Sequence, residues 1–497
     1  MAISVETFFL DPAYEGTLQQ QIQQQVIEAI LAGRYRPGDR LPSSRGLAEH
    51  LGISRITVTL AYTDLVASDY LSARGRSGYY VSDTAPRAPA FDVPRPGRTQ
   101  DVDWSRSIGQ RFSNYEGLVR PPDWRSYRYP FIYGQADASL FDHANWRQCA
   151  LQALGQRDFE AMTSDYYDRD DPQLIKFITR HILPRRGIRA RPSEVLLTLG
   201  AQNALWISAQ ILLTQRRTAA MESPCYAGLR EALAQTRCKT LSIPVDDDGL
   251  PPDAISPDVD VVYTTPSHHA PTNATMPLAR RRDLLDRAAR DDFMIVEDDY
   301  EFEISFLNPP SPALKSLDES GRVVYIGSFS KSLFPGLRLG YLVGAEPFIR
   351  EARALRALVL RHPPGHIQRT VSYFLSLGHY DAQVNRTRQA YRRRRAVMEE
   401  AISDHGLRIA GRGAFGGSSF WMQAPDGINT QKLSEMLKQH QVVIEPGRAF
   451  FPEYEDNFQY YRLAYSSIRA ERIPEGIRRI AEAIQQEQER QSAGRRR

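Results

Sequence analysis

The chain has 497 residues, enough for about three folding units at roughly 150 residues each. With 42% hydrophobic and 25% charged residues it can bury large cores, which excludes collagenous and wholly disordered classes. Sixty-three Lys+Arg against 59 Asp+Glu leave a net charge of only +4, so any nucleic-acid site must be a local patch.

Three cysteines, Cys149, Cys225 and Cys238, are an odd number without CxxC spacing. That argues against a disulfide scaffold or a metal site and favours a reducing, cytoplasmic setting. No run of about 20 apolar residues is present to span a membrane. The opening MAISVETFFLDP lacks a cationic stretch followed by a long apolar core, so no secretory signal is expected.

Residues 12–82 read as a small helical unit. In GDRLPSSRGLAEHLGISRITVTLAYTDLVASDYLSARGRSGYYV, Ser43 or Ser44 can cap a short helix that turns Leu47, Ala48 and Leu51 inward. Gly52 supplies a turn. Ser54 caps a second helix with Ile56, Val58, Ala61, Tyr62 and Leu65 at near-helical apolar spacing. Helix, short Gly turn, helix is the helix-turn-helix pattern, in which the start of the second helix approaches base edges. Here that start is Ser54, Arg55 and Thr57; Arg can pair with guanine, and Thr can touch phosphate or a thymine methyl. Two short strands then flank Arg74-Gly75-Arg76-Ser77-Gly78, a basic hairpin able to lie along a phosphate backbone. From residue 34 to 82 there are seven Arg and no Lys against four acids, so positive charge gathers beside the reading helix. The plainer reading is a helical protein-interaction domain.

LPSSRGLAEHLGISRITV and the hairpin RGRSGYYV resemble the winged helix-turn-helix of GntR-type bacterial regulators over about 65 residues. The resemblance implies contact with double-stranded operator DNA by Arg45, Ser54, Arg55, Thr57 and the wing residues Arg74, Arg76 and Gly78.

Residues 83–124 contain Pro86, Pro89, Pro94 and Pro96 without apolar periodicity and read as a semi-extended linker, or else as a loop laid on a domain surface. From 125 to 490, short apolar runs (EVLLTL at 194–199, DVVYTT at 260–265, DFMIVE at 292–297, RVVYIGS at 322–328) alternate with longer amphipathic segments. That predicts βαβ units and a mostly parallel sheet with helices on both faces. GSSFWMQ and QVVIEPG add a small α+β C-terminal subdomain. Parallel sheets bind ligands at their carboxyl edge, so the chemistry is sought just after each strand.

In VVYIGSFSKSLFPGLRLGYLV, Lys331 follows a strand among small residues. A partly desolvated lysine suits Schiff-base chemistry with an aldehyde. Ser328, Ser330 and Arg338 offer hydroxyls and a guanidinium for a phosphate. Gly200-Ala201-Gln202 sits between a strand and a helix, where backbone N–H groups can hold a phosphate. Asp298, at the end of MIVED, can pair with a pyridinium nitrogen, and Tyr300 can hydrogen-bond the ring's phenolic oxygen. Tyr226 can stack on an aromatic ring, and Arg462 can grip a carboxylate. The RTRQAYRRRRAVMEE run at 386–400 reads by default as a solvated helix face.

Together these pieces resemble the fold-type I, pyridoxal-phosphate-dependent aminotransferases, most specifically in SFSKSLFPGLRLGY. The resemblance implies Lys331 as the internal-aldimine lysine and Asp298 and Tyr300 as partners of the ring. It makes Ala201, Gln202, Ser328 and Arg338 phosphate ligands, Tyr226 the ring neighbour and Arg462 the effector's acid anchor. One departure stands out. The family's Asn-Pro-Thr-Gly turn is Ala270-Pro271-Thr272-Asn273 here, and Ala270 cannot supply the hydrogen bond that Asn makes to the ring. Asn273 can stand for Gly because Asn tolerates positive φ. His268 and His269 beside the turn either face the pocket or are structural.

A GntR-type reader joined through a Pro-rich linker to such a domain is the architecture of the MocR subfamily. That resemblance implies a cytoplasmic head-to-tail homodimer sensing a small amine or amino acid by external aldimine formation at Lys331. An ectoine-derived diamino acid and taurine are the effectors suggested. Two alternatives stay open: an active aminotransferase with an appended DNA-binding domain, and a DNA-binding scaffold that has lost the cofactor.

Overall fold

A computed structural model describes residues 1–86, 103–113, 120–135, 137–411, 413, 416–452 and 457–495. The chain divides into two compact units, 1–111 and 112–497. Pro89, Pro94 and Pro96, which carried the linker reading, lie outside the described residues, as does the side chain of Arg76.

The first unit is built on three helices and a hairpin. Leu18–Leu31 opens with a capping box between Thr17 and Gln20. Ser44–Leu51 starts at Ser43, whose hydroxyl accepts from Gly46 N, and stops at Gly52 in the left-handed conformation. Arg55–Ala67 follows, capped by Ser54. The strands Leu71–Ala73 and Tyr79–Val81 pair antiparallel with Leu71 opposite Val81. Ile22, Val26, Leu47, Val58, Tyr62 and Leu65 meet in one core. Ile56 departs from the expected inward set: it is 70% exposed, because its place two residues into the helix points away from that core.

In the second unit a seven-stranded sheet runs in the order Val195–Thr198, Gly340–Val343, Val323–Ser328, Met294–Asp298, Val261–Thr264, Thr218–Ser223, Lys239–Pro244. Only Gly340–Val343 is antiparallel to its neighbours. Four of these strands were legible as apolar runs. The others lack that signal: Thr218–Ser223 is Thr-Ala-Ala-Met-Glu-Ser, Lys239–Pro244 lies at the edge and is largely exposed, and Gly340–Val343 continues the lysine loop.

A second sheet, Arg408–Ile409, Ser419–Gln423, Tyr460–Ala464 and Glu445–Pro446, forms the C-terminal subdomain with the helices His379–Asp404, Thr430–Gln439 and Ile473–Arg495. The arginine run overturns the solvated-face expectation. Arg388 donates to the Glu303 carbonyl and Arg392 to that of Phe306. Arg394 and Arg395, both buried, reach the carbonyls of Tyr465, Ser466, Gly413 and Gly416. The cluster binds the long helix to loops on either side, since buried carbonyls need donors where no strand or helix supplies them.

Candidate functional site

Three strands of the large sheet deliver their carboxyl ends to one place. After Thr198 the chain turns at Gly200 (φ +79) into the helix Ala201–Leu212, aiming its first N–H groups at the crevice. Met294–Asp298 ends on Asp298, and Val323–Ser328 ends on Ser328, with Lys331 in the loop beyond. A cavity of about 320 Å³ opens there. Ala201, Gln202, Tyr226, Asp298, Tyr300, Ser328, Lys331, Arg338 and Arg462 all line it, so the nine residues singled out in this unit converge.

The cavity is polar and incompletely satisfied. Asp298 Oδ1, Ser330 Oγ and Gln202 Oε1 are buried without hydrogen-bond partners among the described residues. Such groups cost about 1–3 kcal/mol each when left unpaired, so they mark a place for a polar ligand. Arg338 donates from Nη2 to the Leu199 carbonyl (3.0 Å), holding its guanidinium beside Gly200 and Ser330. A pyridine ring facing Asp298 and a phosphate among Ala201, Ser328, Ser330 and Arg338 match these donors and acceptors.

Lys331 Nζ lies 4.2 Å from the centre of the Tyr133 ring. Burial holds the amine down at about 8, with Arg462 and Arg120 adding to the effect and Glu301 and Glu445 opposing it. Burial and the neighbouring Asp299 and Glu222 push the Asp298 carboxyl up to about 8. Arg462 donates from Nε to Glu445 (2.8 Å), and Arg120 reaches the other oxygen at 3.1 Å. The Arg462 guanidinium also lies 4.0 Å from the centre of the Tyr133 ring.

Ala270 lines the cavity without a side-chain donor. Asn273 takes φ +60, as expected of a residue replacing Gly, and donates to the Ser419 carbonyl (2.6 Å). Neither histidine of the turn lines the large cavity: His268 hydrogen-bonds Ser305 Oγ and His269 hydrogen-bonds Thr272 Oγ1.

Tyr133, Gly134, Arg120, Glu301 and Glu445 escaped the sequence reading. Tyr133 and Gly134 open the YGQADASLF stretch, and Glu445 is a lone acid in the apolar run QVVIEPG, a pattern that signals a buried pair.

In the first unit, Arg45 and Arg55 are exposed, and Arg55 Nε lies 3.4 Å from Ser44 Oγ. The Ser54 hydroxyl is engaged as the helix cap, accepting from Ile56 N, and Thr57 is half-buried. Arg74 stacks over Tyr80 at 4.7 Å, and Gly78 takes φ +104, a conformation that favours glycine.

Residues 18–81 match the gntR family of bacterial regulatory proteins, and residues 139–480 match the class I and II aminotransferases. The HTH-type transcriptional regulator TauR of Rhodobacter capsulatus is 60% identical over 97% of this chain and all of that protein. The probable rhizopine catabolism regulatory protein MocR of Rhizobium meliloti is 31% identical over 80% of this chain and 79% of that one. Among solved structures, the kynurenine aminotransferase of Pyrococcus horikoshii, in complex with PMP, superposes with TM-score 0.69 at 26% identity. That match covers 78% of this chain and 98% of the enzyme.

Fold and cavity together define a winged helix-turn-helix reader carried on the same chain as a fold-type I aminotransferase unit. The chain belongs to the class I and II aminotransferase family through its large unit and, taken whole, to the MocR subfamily of GntR-type transcriptional regulators.

Proposed function

We propose that this chain is a DNA-binding transcriptional regulator whose large unit holds pyridoxal phosphate and answers a small primary amine bearing an acidic group. The observation that carries the reading is Lys331: a half-buried amine with no hydrogen bond or ion pair among the described residues, at the wall of a cavity rich in unpaired polar atoms. Pyridoxal phosphate supplies an aldehyde that condenses with primary amines and a pyridine ring that withdraws electrons.

The chain's residues do the rest. The helix start at Ala201 and Gln202, with Ser328, Ser330 and Arg338, holds a phosphate. Asp298 would be the partner of a ring nitrogen, Tyr300 a donor to a phenolic oxygen, and Tyr226 the aromatic neighbour of the ring. Lys331, neutral in a larger fraction than a solvated lysine, would be the amine that holds the aldehyde when the cofactor is bound. Arg462 orients the effector's acid group from the far wall.

In the first unit, Arg45, Ser54, Arg55, Thr57 and the Arg74–Gly78 wing meet the duplex. In this reading two chains pair head to tail in the cytoplasm, suiting an operator with two related half-sites. The effector shifts the dimer by favouring one arrangement over the other.

Ala270 favours sensing over turnover, since the ring contact that Asn would supply is missing. An amine screen against the loaded protein tests the reading. Taurine and a 2,4-diamino acid are the first probes, with the visible band of the bound cofactor and operator affinity measured together. Amines that alter neither would refute it; steady product formation with pyruvate or 2-oxoglutarate would favour the enzyme instead.

A further inference from the structure

Lys331 stands between two cavities. In front is the large one; behind is a cavity of about 20 Å³, also walled by Gly134, Gln135, Ser330 and Lys331. About 10–15 Å³ suffices for one water, and an ammonium head is of similar size. The rear space is polar, with Glu301, Ser332, Thr387, Ser418 and Ser466 on its wall.

Two carboxylates face it. Asp137 is already paired with Arg394. Glu301, 2% exposed, accepts only from the Tyr133 hydroxyl (3.1 Å) and Ser418 Oγ (2.6 Å) and has no ion pair among the described residues. A buried carboxylate without a cation and a half-buried amine without an anion thus share one small cavity, an arrangement whose cost is relieved when the two meet. In front, Asp298 is the carboxylate on the wall, and the proposed function gives it to the ring nitrogen; Glu445, against Arg462, has both its oxygens occupied by Arg462 and Arg120.

We propose that the rear cavity is the dock of the displaced Lys331 ammonium, that Glu301 is its acceptor, and that Ser418 carries the change into the C-terminal sheet. The proposal rests on the reading that a primary amine replaces Lys331. In that exchange the effector enters as R–NH3⁺ and Lys331 leaves as an ammonium. With the imine nitrogen protonated before and after, one C=N bond forms at the effector nitrogen, one breaks at Lys331, and two protons pass from the first nitrogen to the second, so atoms and charge balance. The new ammonium needs a carboxylate, and Glu301 is the unpaired one at hand. Glu301 already opposes the burial that holds Lys331 down. Ser418 directly precedes the strand Ser419–Gln423, so a Glu301 that turns from Ser418 to Lys331 releases the start of that strand. Glu301 is a positioning residue here: it acts through Lys331 and touches neither ring nor effector.

The test compares wild type, Glu301→Gln, Glu301→Asp and Ser418→Ala as full-length proteins. In the cofactor-free protein, reductive ¹³C-methylation and NMR titration of Lys331 should show its pKa falling in Glu301→Gln and returning toward wild type in Glu301→Asp. In the loaded protein, Glu301→Gln should bind taurine or a 2,4-diamino acid about tenfold more weakly, the scale of one lost charge-assisted hydrogen bond. Hydrogen exchange across 417–423 should respond to the amine in wild type and stay unchanged in Glu301→Gln and Ser418→Ala. An unmoved Lys331 titration, or wild-type amine affinity and exchange in Glu301→Gln, would overturn the proposal. Should Glu301→Gln not fold, Ser418→Ala carries the exchange readout, and a wild-type response across 417–423 in that variant overturns the proposal. A wild-type protein whose spectrum ignores every amine would instead sink the functional reading while leaving the Lys331 titration to judge Glu301.

Discussion

Arg462 spends its Nε on Glu445, 2.8 Å away, and the Arg120 guanidinium holds the other carboxylate oxygen. Two cations and one anion at the far wall leave a net positive end to the cavity, with the Arg462 terminal nitrogens available to an acid group. Arg462→Ala should therefore weaken amino-acid or sulfonate binding by about tenfold to a hundredfold, as for a lost buried charge-assisted contact. The absorbance of bound cofactor should persist. Spectral titration with the same amine gives both numbers.

Lys331→Ala should abolish the visible absorbance of bound cofactor and the effector response, while the first unit keeps its fold and its affinity for operator DNA. The loading rate of wild type carries a signature of its own. A neutral amine attacks the aldehyde and Lys331 is held at about 8, so the rate should climb with pH and level off above that value. An ordinary lysine, near 10.4, would still be accelerating there. Stopped-flow absorbance from pH 6 to 10 distinguishes the two curves.

Asp298 makes the opposite case. Its folded value of about 8 lies far above the ordinary carboxyl near 4, so the folded, cofactor-free protein binds a proton that the unfolded chain has released. Stability contributed by this group is therefore complete below about pH 4 and is lost as pH rises toward 8. Cofactor-free Asp298→Asn should be more stable than wild type at pH 8, on the order of 1 kcal/mol, with the gap closing by pH 5. Thermal melts at the two pH values check the sign.

Ile56 separates folding from binding. At 70% exposure its replacement by Ala should move the melting of the first unit by no more than about 0.5 kcal/mol. Val58→Ala, in the core, should cost about 1–3 kcal/mol. Operator affinity of Ile56→Ala should fall several-fold if the surface around Arg55, which Ile56 adjoins, is the one that meets the duplex as proposed. Denaturant melts and a binding titration on the two variants give the comparison.

The reader was legible almost residue by residue, because Ser43, Gly52 and Ser54 are local signals whose meaning does not depend on distant chain. Most of the nine cavity residues were legible because they follow a strand with an apolar signature or sit in the SFSKSLFPGLRLGY motif; Tyr226 and Arg462 rested on the resemblance. The rest needed the third dimension. Arg120 and Tyr133, Glu301 and Glu445 come together from three distant stretches, and of these only Glu445, a lone acid in an apolar run, carries a local mark. Ile56 was misjudged because apolar spacing alone does not reveal which side of a short helix the domain covers. The arginine run was misjudged for the converse reason: charge reads as solvated until the carbonyls it serves are seen.

Gly134 shows where such a sensor can and cannot change. Its φ is +68, and a Cβ there would fall 2.2 Å from Lys331 Nζ. Any larger residue would press on the nitrogen proposed to carry recognition. Arg120, Gln135 and Phe450 line the same chamber without a left-handed backbone, Arg120 tied to Glu445 and Phe450 packed against Arg462. A lineage retuning its preferred metabolite has that rim to experiment with, while the anchor point stays closed to it.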